Sequence, residues 1–219
     1  MSGPSYGCLY ADVGTNGRNS DGHACARCSL KKALDSPDNP LNIPPPYPLS
    51  GASKAVPFVI TAHEAFSLAS YMLKPYPRKS LTVEERIANY RISRGRRISE
   101  NILGILANRW RCFRAPFLLS PVKVQKITMA VLTLHNWLNS HGFSRNVYCP
   151  SGLTDNENPV TGEIIQGTWR DDSPLELLVS LQPSLKDNYN RGAQEMRQEY
   201  TRWFNDEGDV PWQRKMRGL

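Results

Sequence analysis

Glu100 is the one carboxylate in "NYRISRGRRISENILGILANRWRCF", residues 89–113, a segment that also carries Arg91, Arg94, Arg96, Arg97, Arg109 and Arg111. On a helix, Arg96 and Arg97 stand at i−4 and i−3 from Glu100 and Gly104 stands at i+4. Two chemistries follow from that spacing. One is an exposed i,i+4 ion pair, worth about 0.3–0.5 kcal/mol. The other is a metal-binding carboxylate presented toward DNA, with the arginines holding phosphates and Gly104 leaving room for a backbone or a ligand. His63 is a second candidate, because it directly follows the apolar run "AVPFVITA". Ligands of open α/β sheets gather at the carboxyl ends of strands, so His63 stands where a metal ligand, a base or a loop cap would stand, with Glu64 beside it. Cys8, His23, Cys25 and Cys28 are a further set of residue types from which zinc takes four ligands. Their single C-x2-C pair lacks a second one. His135, between Leu134 and Leu138 on a helical stretch, reads as a packing histidine. No G-x-S-x-G, P-loop or dinucleotide fingerprint is present.

The elements that would position these residues are legible by period. Ser99, Leu103, Leu106, Trp110 and Phe113 fall on one helical stripe, with Ile98, Ile102 and Ile105 on the adjoining one. Ser80 or Thr82 is the expected cap of the helix that enters this segment. A second long helix is expected from Ser120-Pro121 through Leu138, packed against the first. Residues 55–62 read as a strand buried on both faces, and "GCLYADV", residues 7–13, as a short strand. Residues 25–34 have weak helical character. Six prolines between residues 35 and 54 predict a long extended loop insertion. A last amphipathic helix carries Met196, Tyr200, Trp203 and Phe204. Domain limits are expected at 1–140 for the main domain, with the insertion at 35–55, and at 141–219 for a C-terminal extension.

The formal net charge of +7 is concentrated: from Lys74 to Arg114 there are eleven Lys or Arg against three Glu. Such an excess is the footprint expected for a polyanion partner, most simply nucleic acid. No apolar run approaches the roughly 20 residues that span a bilayer, no secretory signal is evident at the N-terminus, and five scattered cysteines suggest reduced thiols inside a cell.

"RRISENILGIL" resembles the last acidic motif of transposase-derived nucleases of the PIF/Harbinger class, within the DDE endonuclease family. "YADVGTNGRNSDG", "PFVITAHEAF", "TLHNWL", "GEIIQGTWR" and "RQEYTRWFNDEGDVPWQ" are similar to other parts of that family, so the resemblance runs from residue 7 to residue 217. It implies an α/β, RNase H-like fold with a mixed sheet flanked by helices and a helical C-terminal tail. It further implies a nuclear protein, with the cytoplasm as a second compartment, that binds Mg²⁺ or Mn²⁺ and DNA. A partner DNA-binding protein or self-association would go with these. Carried over by position, Glu100 is the catalytic glutamate and Asp21 a metal ligand. His63 stands where the family has an aspartate, and the first catalytic aspartate belongs to a strand expected before residue 7. An N-terminally truncated nuclease domain is therefore the expectation, with weakened metal binding and impaired hydrolysis. The alternative is a non-enzymatic DNA- or protein-binding domesticated fragment.

Overall fold

A computed structural model of the chain describes residues 1–16, 19–77, 79–171 and 190–218. It is a mixed α/β protein whose described strands form three separate two-stranded sheets. Two compact units make up the chain, and each is interrupted in sequence. One takes Met1–Asn16, Arg97–Pro159 and Glu163–Ser180; the other takes Gly17–Arg96, Val160–Gly162 and Leu181–Leu219.

The first unit is built on the second half of helix α3 (Val83–Arg109) and on α4 (Pro121–Ser140), α5 (Gly142–Tyr148) and a hairpin. Ile102, Leu106 and Val131 form one core cluster, joined by Ile98, Trp110, Phe113 and Ile127. Both stripes on α3 contribute to the core, Ile102 and Ile105 from one and Leu106 from the other, whereas Leu103 is 52% exposed. Pro121 opens α4 at its first turn, as its missing N–H allows.

Residues 7–13 do not form the expected strand. A single antiparallel bridge joins Ser2 to Cys8, the Leu9 and Tyr10 N–H groups go to the Met1 carbonyl, and side chains of α4 take up further backbone groups of this strap. Asn136 receives the Cys8 N–H at 2.7 Å and donates to the Cys8 carbonyl at 2.8 Å. Asn139 donates to the Ser5 carbonyl at 2.6 Å. Backbone groups paired in this way have no need of a sheet neighbour.

In the second unit, α1 (Asp21–Arg27) and α2 (Ser29–Asp35) replace the single weak helix expected over 25–34. The chain breaks at Cys28, whose sulfur accepts the Lys31 N–H at 3.3 Å and so caps α2. The proline-rich stretch contributes only the edge strand β1 (Tyr47–Pro48), paired antiparallel with β2 (Ala55–Val56). β3 (Ile60–Thr61) then pairs in parallel with β4 (Met72–Leu73).

The continuous strand expected over 55–62 is therefore two short strands with different partners. Pro57 lies between them, and it has no N–H to give a ladder. Phe58 is 51% exposed, so burial on both faces also fails there. Helix α6 (Arg191–Asn205) lays Ala193 and Met196 on Leu68, Leu73 and Ile92, with Tyr200 and Phe204 packed alongside. β5 (Asn156–Glu157) and β6 (Ile164–Ile165) make the hairpin of the first unit.

Candidate functional site

Thr82 starts α3. Its hydroxyl accepts the Glu85 N–H at 3.2 Å while the Glu85 carboxylate accepts the Thr82 N–H at 3.0 Å, a reciprocal cap that satisfies two donors. Ser80 takes no part in it and has a positive φ of 55°. From this start the helix runs through all the residues of the basic segment up to Arg109.

Within the first unit Glu100 is exposed, and no hydrogen bond or ion pair reaches its carboxylate among the described residues. Its charge acts on Arg170, whose pKa is raised by hydrogen bonding to Asp155 and by the charges of Asp155 and Glu100. The neighbours of Glu100 in sequence are buried. Asn101 donates to the Asp155 carbonyl at 3.0 Å, and its own amide oxygen accepts from the Asp155 N–H at 3.0 Å and the Trp169 indole at 3.2 Å.

Gly104 lies under that same indole, where an added Cβ would stand 2.3 Å from Trp169. The room that the sequence leaves at Gly104 is therefore filled by the chain's own tail. Gly167 is needed for the same reason, since a Cβ there would meet the Leu153 carbonyl at 2.3 Å.

Asp155 anchors this tail. Its carboxylate accepts from the Gly167 N–H at 2.9 Å and from both Nε and Nη2 of Arg170. Burial would raise its pKa, but the bonds from Arg170 and Gly167 and the charges of Arg170 and Arg97 outweigh it and hold the carboxyl below its ordinary value. Arg97 pairs with Glu157 at 3.0 Å, both side chains being largely buried. Asn101, Asp155 and Arg170 were not singled out in the sequence. Only the "EN…G" spacing and "GTWR" pointed toward them, without showing that they meet.

The six arginines of the basic segment differ in what they hold. Arg91 donates to the Gly208 carbonyl at 2.7 Å and to Gln213 at 3.0 Å, with its guanidinium over Phe204. Arg94 lies over the rings of Tyr90 and Trp212. Arg109 donates to the carbonyl of Tyr148 at 2.7 Å. Arg91, Arg97 and Arg109 thus act inside the protein. Among the described residues Arg96 and Arg111 make no ion pair, and Arg111 is exposed.

In the second unit, His63 follows β3 as expected. Its Nδ1 accepts the Ala65 N–H at 3.2 Å, which leaves the ring proton of a neutral imidazole on Nε2. The one unprotonated nitrogen of such a ring is thus taken up by a backbone N–H, whereas metal ligation needs an unprotonated nitrogen with its lone pair available. His63 and Glu64 line a cleft of about 730 Å³ together with Tyr90, Ser93 and Arg96 of α3. Asp21 is the first residue of α1, and its side chain lies outside the described residues.

Endonucleases of the DDE type typically use divalent metals, and Mg²⁺ takes oxygen ligands at near-octahedral geometry. The described donors do not fit such a pair of ions. Asp155 is neutralised by Arg170, and His63 presents a proton. Among the described residues no group of three or more His, Cys, Asp or Glu is placed to hold a metal. Of the residue types that suit zinc, the Cys28 sulfur caps α2, and burial and the neighbouring Cys28 push the Cys25 thiol up.

His135 is fully buried and bonded on both ring nitrogens, to the Tyr148 hydroxyl at 2.9 Å and the Tyr6 carbonyl at 2.7 Å. Burial lowers its pKa, opposed by the bond to Tyr6.

No helix among the described residues is long and apolar enough to cross a membrane. Neither a curated protein nor a solved structure significantly matches the chain. A family model described as DDE superfamily endonuclease matches residues 1–136, more than half of the sequence and the whole of the segment around Glu100. By that match the chain belongs to the DDE superfamily of endonucleases.

Proposed function

We propose that the protein is an RNase H-like, Harbinger-type DDE nuclease by descent that binds DNA in the nucleus and whose own phosphodiester hydrolysis is impaired. Residues 1–140 are the nuclease-derived part in this reading. The observation that carries it is the imidazole of His63. The resemblance leads one to expect a carboxylate there, and the ring instead accepts a backbone N–H on Nδ1 and carries its proton on Nε2.

Exchange of an anionic oxygen ligand for a proton donor weakens Mg²⁺ binding. It does nothing to weaken attraction for phosphates. The excess of cations from Lys74 to Arg114 supports the DNA part. Arg96 and Arg111 are the side chains of the basic segment best suited to phosphates, since neither is paired among the described residues.

Duplex binding measured across a salt series tests this. Binding should fall linearly in log–log form with added salt. Arg96→Gln and Arg111→Gln should each weaken it on every sequence tried and reduce the slope by about 1. A slope near zero, or one that neither substitution changes, would remove the DNA-binding role.

A further inference from the structure

The cleft beside His63 is rich in cations that the protein does not itself use. Arg86 and Arg96 stand on α3 with Tyr90 and Ser93 between them, at i, i+4, i+7 and i+10, so one helical face forms the wall. Arg217 reaches the same cleft from the C-terminal segment. Among the described residues no ion pair or hydrogen bond is made by the side chains of these three arginines, in contrast to those of Arg91, Arg97 and Arg170.

Glu64 is the one acid among the lining residues, and its carbonyl receives the ammonium of Lys74, which is 2% exposed. Three guanidiniums against one carboxylate give the cleft a positive field, and concave low-dielectric walls concentrate it.

A second observation points the same way. Tyr90 lines the cleft, is 8% exposed, and has a buried hydroxyl without a hydrogen-bond partner. Native proteins rarely leave such a group unmet. Because the hydroxyl is itself closed to solvent, a ligand oxygen would become its acceptor with a small shift of the ring toward the cleft.

We infer that this cleft binds a phosphate monoester directly, without a bridging metal: the terminal phosphate of a mononucleotide or of a 5′-phosphorylated strand end. A monoester carries close to two negative charges at neutral pH, which suits converging arginines better than a single diester charge. Guanidiniums match its oxygens in a fork geometry that an ammonium cannot reproduce. A cleft of about 730 Å³ is in the range that holds one small molecule and excludes a duplex. Pro75, Tyr76 and Leu81 offer an apolar wall for a base. Where a nuclease centre would gather carboxylates around cations, this cleft is lined by three arginines against one acid. The site shares only Arg96 with the proposed duplex contacts; Arg86, Tyr90 and Arg217 are not part of them, so their variants test the cleft separately from duplex binding.

Titration calorimetry of the full chain in EDTA tests the inference, with inorganic phosphate, adenosine 5′-monophosphate and adenosine as probes. Phosphate and the monophosphate should bind saturably and adenosine should not. Arg86→Gln should weaken the monophosphate by about tenfold or more. Tyr90→Phe, which keeps the ring and its packing, should weaken it by about fivefold. Both variants should melt as the parent does and keep its duplex binding.

Displacement of the monophosphate by a 5′-phosphorylated oligonucleotide, but not by its 5′-hydroxyl twin, would assign the ligand to strand ends. Failure of both to displace it would assign it to free nucleotides. Three results would overturn the site: no saturable binding in EDTA, adenosine binding as tightly as its monophosphate, or affinity unchanged in both variants.

Discussion

Asp155 is 3% exposed and stays ionised because Arg170 and the Gly167 amide both bond its carboxylate. Asp155→Asn keeps the shape but removes the charge that Arg170 faces. Breaking a buried pair from one side costs about 3 kcal/mol, so urea unfolding should show a loss of that order. Because the folded pKa is held below the ordinary carboxylate value, the contribution of Asp155 is full above about pH 4 and is lost as pH falls through the lowered value.

His135 adds a second window. Burial holds its folded pKa below that of a free imidazole, so the unfolded chain takes up a proton that the folded chain refuses. The stability tied to neutral His135 is thus complete above about pH 6.5 and declines as pH drops below it. Melting temperatures recorded from pH 8 to pH 5 should fall over the lower part of that range, and His135→Gln should flatten the fall while lowering the whole curve. Arg91 belongs with these internal residues despite standing in the basic segment. Arg91→Gln should cost about 2 kcal/mol through its lost bonds to Gly208 and Gln213, and should leave the salt slope of DNA binding unchanged.

At the scale of elements, helix α3 is the part most committed to two tasks. Its Asn101 and Gly104 exist for the tail that docks on them, one by pairing the Asp155 backbone and the other by making room for Trp169. Gly104→Ala would gain helix propensity, yet the added methyl meets the indole at 2.3 Å. Overpacking of this kind costs about 1–3 kcal/mol, so the substitution should lower the melting temperature instead of raising it.

The parts of this architecture that could be read from the sequence are the local ones. Thr82 and Pro121 mark helix starts through groups within one turn of themselves, and Met196, Tyr200 and Phe204 announce a buried face by period alone. What could not be read depends on partners distant in sequence. The strap at residues 7–13 looks like a strand until Asn136 takes up both backbone groups of Cys8. The tail contacts of Asn101 likewise require a residue 54 positions away. His63 was placed correctly after a strand, but its role as an acceptor of the Ala65 N–H is set by loop geometry.

For the whole molecule, membership of the DDE superfamily and a concentrated positive charge both support the proposed binding of nucleic acid. Among the described residues the cleft beside His63 is lined by arginines, and no group of three or more His, Cys, Asp or Glu is placed to hold a metal. Chelation should therefore leave duplex binding intact at fixed ionic strength, which a gel-shift series with and without EDTA would show.

The most direct measurement is supercoiled-plasmid nicking by the full chain in Mg²⁺ and in Mn²⁺, beside Glu100→Gln. Binding without nicking above the level of Glu100→Gln is the expected result. Vigorous nicking that Glu100→Gln abolishes would contradict it and restore Glu100 as the last acid of a working centre.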